Sequence, residues 1–122
     1  MAEALKRSRH GVELFVVGKE KNPGLAKMCE EYCLAPQSGV TDLKAIREFA
    51  LKVKPDFAIL GPEAPIAAGV ADMLLELEIQ SASPLKTVGR LESSKSFTRD
   101  LVEKYQIPGN PLFKTFLNDQ VL

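Results

Sequence analysis

The 122-residue sequence has no tryptophan, a single histidine and only two cysteines. A structural metal site needs about four ligands at close spacing, and His10 lies too far along the chain from Cys29 and Cys33 to complete one. The sequence also contains no GxSxG, no Walker lysine motif and no GxGxxG. We therefore expect neither a metal ligand set nor a catalytic nucleophile within this chain.

The charges of the chain cancel, because sixteen basic and sixteen acidic residues leave a formal net charge of zero. No basic patch with interleaved aromatic residues is present, which argues against nucleic-acid binding. The polar start, MAEALKRSRHG, is unlike a signal peptide, and no apolar run approaches the ~20 residues of a membrane span. With 45% hydrophobic residues, the composition is typical of a globular domain. We expect a cytoplasmic protein that contacts no membrane.

The most informative stretch joins an apolar run to a helical pattern. Asp56 to Leu60 is a short, nearly continuous apolar run that ends at Gly61-Pro62, as in a strand covered on both faces of a parallel sheet. The following apolar residues keep helical spacing; they are Ile66, Val70, Met73, Leu74 and Leu77. The loop between strand and helix, Gly61 to Pro65, leaves the carboxyl end of the strand, where open α/β sheets hold their ligands. Its prolines fix φ, so we expect Glu63 on a stiff binding loop.

Strands and helices alternate along the rest of the chain. The other predicted strands are Val12–Val17 and Ile79–Ala82. The predicted helices, apart from the one after Pro65, are Ala2–Ser8, Gly24–Cys33, one that starts at the Thr41-Asp42 cap and stops at Lys54-Pro55, one after a Ser83-Pro84 cap, and one that opens at Glu92–Lys95. This alternation predicts a doubly wound α/β sheet.

Each of three features of the sequence has two possible interpretations. The loop Gly18 to Gly24 either serves only as a loop with an Asn22-Pro23 helix cap, or its two lysines also face an anion. Lys95, beside a helix amino terminus, either holds a phosphate or is only solvated. Cys29 and Cys33, four residues apart on a predicted helix, are interpreted as small buried core residues, with metal or redox chemistry as the alternative.

Three runs of residues resemble one family. DFAILGPEAPIAAGVAD and RLESSKSFTRDLVEKYQIPGNP resemble the amino-terminal domain of the phosphoribosylamine–glycine ligases, also called glycinamide ribonucleotide synthetases, and FVVGKEKNPGLAKMCEEY resembles their archaeal-type members. The resemblance covers roughly residues 2–116. It implies a Rossmann-like (pre-ATP-grasp) doubly wound parallel sheet that is incomplete at the amino terminus, because the family's first strand and GNGGREHA-like loop have no counterpart here.

The resemblance also implies a reaction and site residues. The family joins glycine to 5-phosphoribosylamine in de novo purine biosynthesis, with ATP as phosphoryl donor and Mg²⁺ in support. The residues that match its phosphoribosylamine-binding loops are Asn22, Pro23, Gly24, Gly61, Pro62, Glu63, Ala64 and Pro65. Lys95 stands at the family's SKxF lysine, which contacts nucleotide phosphate.

The domain assignment follows from the same resemblance. Residues 1–107 correspond to the substrate-binding domain, and residues 108–122 to a linker towards an ATP-grasp domain that carries the metal ligands. The family's usual GPT is replaced by Ser83-Pro84-Leu85. We expect the chain to be inactive without the remainder of the ligase; the alternative is a non-catalytic α/β module for ligand binding or protein interaction.

A sheet without its first strand has a further consequence. In the strand order 3-2-1-4-5 the first strand is central, so its loss separates Val12–Val17 from Asp56–Leu60 and leaves each with an unpaired side. Unpaired edges attract other strands. We therefore expect a homodimer formed by edge pairing or strand exchange.

Overall fold

The computed structural model describes residues 1–35 and 37–116. Its helices are α1 (Ala2–Lys6), α2 (Pro23–Ala26), α3 (Leu43–Val53), α4 (Glu63–Ala68), α5 (Val70–Glu76), α6 (Lys86–Ser93) and α7 (Lys95–Lys104), with a 3₁₀ segment at Gly39–Thr41. The strands are β1 (Phe15–Gly18), β2 (Glu31–Leu34), β3 (Phe57–Ala58) and β4 (Gln80–Ser81). Parallel strands alternate with helices, which confirms the predicted α/β class. Pro36 and the last six residues of the predicted linker lie outside the described residues.

The strands form two separate parallel pairs. In the first, Phe15 lies opposite Glu31 and Gly18 opposite Leu34; in the second, Phe57 lies opposite Gln80. No strand of the described residues bridges the two pairs. The predicted separation of Val12–Val17 from Asp56–Leu60 is therefore present in the structure.

One hydrophobic core holds both pairs. Helices α3 and α5 supply most of its buried side chains, which are Ile46, Ala50, Val70, Met73 and Leu74, with Ile79 beside them. Val17 of β1 packs against this cluster, as do Ala58 of β3 and the following Leu60. The two halves of the sheet therefore depend on the same pair of helices.

Helix α3 begins and ends as its sequence predicts. The Asp42 carboxylate accepts a hydrogen bond from the backbone N–H of Ala45 at 3.0 Å, which satisfies one free donor of the first turn. Lys54 ends the helix in the left-handed conformation, with φ of 48°, directly before Pro55. This short-range pattern needs no other part of the chain.

The predicted helix Gly24–Cys33 is wrong. Helix α2 ends at Ala26, and Glu31–Leu34 is a strand paired with β1. Residues Tyr32 and Cys33 suit a pleated, half-buried surface, and pairing with a neighbouring strand overrides the helical spacing of the two cysteines. Both cysteines are free and only half-buried, so they do not form a shared core face.

The predicted loop and helix after β3 also need correction. Glu63, Ala64 and Pro65 form the first turn of α4 rather than a loop, where proline is tolerated because the first N–H groups have no partner within the helix. The apolar pattern that follows belongs to two helices, because Gly69 adopts φ of 92° and ends α4.

Strands β1 and β3 are shorter than predicted. Pairing with β2 and β4 includes only the residues Phe15–Gly18 and Phe57–Ala58.

The predicted Ser83-Pro84 cap is wrong as well. Helix α6 starts after Leu85 without a side-chain cap, and the Asp72 carboxylate accepts the Lys86 N–H at 2.8 Å instead. The apolar positions that predicted this helix face solvent: Leu85 is 38%, Val88 56% and Leu91 43% exposed. The helix turns its small buried residue, Gly89, towards α4.

No helix among the described residues is long and apolar enough to cross a membrane.

Replacing Gly89 with alanine tests the close contact of α6 with α4. A Cβ at this position would overlap Cγ2 of Ile66, whose β-branched side chain is stiff on a helix. Overpacking costs about 1–3 kcal/mol, which exceeds the gain of up to ~1 kcal/mol in helix propensity. We expect Gly89→Ala to lower the midpoint of urea unfolding.

Gly61→Ala is the matched control for this variant. No atom lies within 4 Å of a Cβ placed at Gly61, so its unfolding midpoint should stay near that of the unmodified chain. A Gly89→Ala midpoint equal to or above the control would show that α6 does not need this approach to α4.

Candidate functional site

Segments that follow three of the strands contact one another. Gly39 of the 3₁₀ segment has φ of 58°, and a Cβ there would lie 3.0 Å from Cβ of Lys19, in the loop after β1. The same segment packs against β1 and against α4. We call the surface formed by residues 19–24, 39–41 and 61–65 the strand-end surface. It contains all of the predicted phosphoribosylamine-binding residues.

Asn22 organises the first part of the strand-end surface. Its Oδ1 accepts hydrogen bonds from the backbone N–H of Gly24 at 2.9 Å and of Leu25 at 3.1 Å, so the predicted helix cap is confirmed. Pro23 occupies the first position of α2. Since the cap uses the side-chain oxygen, the Nδ2 group of Asn22 remains as a hydrogen-bond donor on an exposed residue.

Tyr32 holds the loop that carries Asn22. Its hydroxyl donates to the carbonyl of Glu20 at 2.7 Å and accepts the Asn22 N–H at 3.4 Å. The same hydroxyl would lie 2.6 Å from a Cβ on Gly18, so a larger residue at the end of β1 would displace it. Tyr32 was missed by the sequence analysis because it was assigned to a helix; the β propensity of Tyr32-Cys33-Leu34 is the signal that points to a strand.

The carboxylate of Glu63, at the start of α4, is available for binding. The residue is exposed, and within residues 1–35 and 37–116 no hydrogen bond or ion pair involves its side chain. Pro62 and Ala64 beside it are exposed, whereas Pro65 is buried. Glu63 can therefore accept hydrogen bonds from a bound molecule without breaking a contact of the fold.

The thiol of Cys33 is not activated as a nucleophile. Burial raises the pKa of the Cys33 thiol, and the nearby carboxylates of Glu31 and Asp42 raise this pKa further. A raised pKa keeps the thiol protonated and weakly nucleophilic. Among the described residues no group of three or more histidine, cysteine, aspartate or glutamate side chains could hold a metal ion.

Lys95 lies on α7, outside the three segments that form the strand-end surface. It is the first residue of α7, which is capped by Ser94 through a 3.4 Å hydrogen bond from the Phe97 N–H. Helix α7 packs against α6, and α6 packs against α4. Lys95 is exposed.

Comparison with known proteins gives one consistent result. The family described as "Phosphoribosylglycinamide synthetase, N domain" matches residues 1–92. The chain is similar to the phosphoribosylamine–glycine ligases of Methanocaldococcus jannaschii and Pyrococcus furiosus, each 46% identical over 95% of the chain and 25% of the relative. The corresponding ligase of Methanoregula boonei is 40% identical over 97% of the chain and 27% of the relative. The chain thus spans about a quarter of the length of these relatives.

Tyr32→Phe removes the hydroxyl that holds the loop after β1 by two hydrogen bonds. Because a neutral hydrogen bond contributes about 0.5–1.5 kcal/mol, the variant should remain folded while the segment Glu20–Asn22 opens more often. We expect faster amide hydrogen exchange at Asn22, measured by NMR, with little change in the melting temperature.

Tyr105→Phe serves as the control, since Tyr105 is 61% exposed and lies at the end of α7. It should leave exchange at Asn22 unchanged. Equal exchange rates in the unmodified chain and in Tyr32→Phe would show that the loop is held by other contacts.

Proposed function

Because the chain belongs to the phosphoribosylglycinamide synthetase N-domain family, we propose that it is the amino-terminal, substrate-binding part of a ligase that joins glycine to 5-phosphoribosylamine in purine biosynthesis. The observation that carries this proposal is the 46% identity over 95% of the chain to proteins that bear the ligase name. The chain covers 25% of their length, so the proposal assigns the ligation step to the assembled ligase.

We propose the strand-end surface as the site for phosphoribosylamine. The ribose hydroxyls would donate to the free carboxylate of Glu63, and the Nδ2 group of Asn22 would donate to the sugar or its phosphate. Lys19 and Lys21 are exposed on the same loop and would provide positive charge for the 5-phosphate. Glycine and the ATP-derived phosphoryl group would approach from the remaining part of the ligase.

The nucleotide is proposed to bind elsewhere, near Lys95. The place of Lys95 on α7, outside the segments of the strand-end surface, supports two distinct sites, one for the sugar phosphate and one for ATP. The described residues do not fit Mg²⁺, since they contain no suitable cluster of carboxylates, and we propose that the metal is held by the remaining part of the ligase. Residues 108–122 would then be the linker between residues 1–107 and that part.

Titration of the chain with ribose 5-phosphate tests the proposal without requiring ligation. This stable compound carries the hydroxyls and phosphate of phosphoribosylamine but not its amine. Amide NMR signals of Asn22, Gly24, Glu63 and Ala64 should shift together, while those around Lys95 should not. Binding that leaves all four of these signals unmoved would refute the proposed site.

Glu63→Gln sharpens this test. The substitution keeps the side-chain size and removes the charge, so a charge-assisted hydrogen bond of ~1.5–3 kcal/mol weakens and the affinity for ribose 5-phosphate should fall about tenfold or more. Loss of a favourable charge at the start of α4 costs only about 0.3–1 kcal/mol of stability, so the fold should remain. Glu103→Gln, on the exposed surface of α7, is the control and should bind normally.

A further inference from the structure

The side chain of Lys19 begins against the backbone of Gly39. A Cβ placed on Gly39 would lie 3.0 Å from Cβ of Lys19, 3.5 Å from its Cγ and 3.7 Å from its Cα. Carbon atoms that are not bonded to each other pack best at about 3.5–4.0 Å, so a side chain at position 39 would push the first methylene groups of Lys19 away. Gly39 therefore leaves the space that these methylene groups need.

Gly39 is connected to the strand end from which Lys19 leaves. The Gly39 N–H donates to the Ala35 carbonyl at 2.7 Å, and the Ala35 N–H donates to the carbonyl of Gly18, the last residue of β1, at 3.0 Å. The Gly39 carbonyl in turn accepts the N–H of Asp42, the capping residue of α3, at 3.2 Å. Because Ala35 and Gly39 are both buried, Lys19 packs against a fixed part of the backbone.

The ammonium group of Lys19 is available to an anion. Lys19 is exposed, and in the part of the chain that the structure describes its side chain takes part in no ion pair and no hydrogen bond. Lysine commonly packs its methylene groups against the protein and keeps its charge in water. Lys19 thus combines a supported side chain with an unpaired charge.

Lys21 lies on the same loop but has no such support. It is exposed, and the Tyr32 hydroxyl holds the backbone of its two neighbours, Glu20 and Asn22. Among the described residues no hydrogen bond or ion pair involves the side chain of Lys21. A mobile lysine loses much rotamer freedom when a ligand fixes it, so binding an anion through Lys21 costs more than binding it through Lys19.

We propose that Lys19 is the residue that binds the 5-phosphate on the strand-end surface, and that Gly39 is the positioning residue that holds Lys19 for this task. This inference rests on the proposed function, because it assigns the phosphate group of the same sugar ligand. A side chain that is already in place gives up less freedom on binding, which increases affinity. Lys21 then adds only attraction over a longer distance.

The variants Lys19→Gln and Lys21→Gln compare the two lysines, since each removes one positive charge from the same loop. The affinity of Lys19→Gln for ribose 5-phosphate, measured by NMR titration, should fall about tenfold because a charge-assisted hydrogen bond is lost. The affinity of Lys21→Gln should fall by less than about threefold, because solvent and salt screen a charge that does not contact the phosphate.

Gly39→Ala tests the positioning role. The added Cβ displaces the methylene groups of Lys19, so the affinity for ribose 5-phosphate should fall about threefold or more. In a chain that already carries Lys19→Gln, the same substitution should change the affinity little, because both residues act on one contact. A role of Gly39 in the shape of the loop alone would lower the affinity equally in both chains.

Gly11→Ala is the matched control for backbone strain. Gly11 has φ of 62°, close to the 58° of Gly39, but no atom lies within 4 Å of a Cβ placed on it. It precedes β1, whereas Lys19 follows this strand. Gly11→Ala therefore introduces the same unfavourable conformation without touching Lys19, and it should bind ribose 5-phosphate like the unmodified chain. Circular dichroism checks that each variant is folded.

A measurement without ligand tests the support of Lys19 directly. NMR relaxation of the side-chain methylene groups should show less picosecond-to-nanosecond motion for Lys19 than for Lys21 in the unmodified chain. This comparison needs no substitution, so it stands even if Gly39→Ala does not fold. Equal mobility of the two side chains would overturn the positioning role of Gly39.

The other outcomes separate this inference from the proposed function. If ribose 5-phosphate shifts the signals of Asn22 and Glu63 but Lys19→Gln and Lys21→Gln lose affinity equally, the sugar site stands and the assignment of the phosphate to Lys19 is wrong. If Gly39→Ala lowers the affinity equally with and without Lys19→Gln, Gly39 does not act through Lys19. If the folded, unmodified chain does not bind ribose 5-phosphate, the proposed site itself is refuted and this assignment with it.

Discussion

Two helices hold this structure together because neither strand pair can form a stable sheet alone. The buried side chains of α3 and α5 contact Val17 from one pair and Ala58 from the other, so the same apolar surface is buried by both. Two-stranded sheets are marginal in water, and the helix layer supplies the burial that they lack. Any substitution that reduces the packing of α3 on α5 should therefore loosen both halves of the sheet together.

The positions of the segments in the strand-end surface follow from the parallel strand pairs. All strands within a pair are parallel, so the segments that follow β1 and β2 leave at the same end. Local contacts then set their positions: the Tyr32 hydroxyl holds the loop after β1, and Gly39 allows the 3₁₀ segment to approach Lys19. The side chains that would meet a ligand, Asn22 and Glu63, are thus placed by residues that need not touch it.

The limits of α3 could be predicted from neighbouring residues, whereas strand β2, which depends on pairing, could not. The Asp42 cap and the stop at Lys54 depend on a few adjacent residues, and both were found. Strand β2 depends on β1, and the spacing of Cys29 and Cys33 fitted a helix equally well. The loop motifs identified the candidate site, but the prolines between Gly61 and Pro65 were interpreted as part of a stiff loop, so the start of α4 was placed too late.

The loop after β1 and the hydrophobic core are held by different contacts. The Tyr32 hydroxyl and the Asn22 side chain hold exposed backbone groups of the loop, whereas the core is formed mainly by buried side chains of α3 and α5. A neutral hydrogen bond contributes about 0.5–1.5 kcal/mol, and truncating a buried core side chain costs about 2–5 kcal/mol. Substitutions in the loop should therefore change ligand affinity while the chain stays folded, and substitutions in α3 or α5 should change both together.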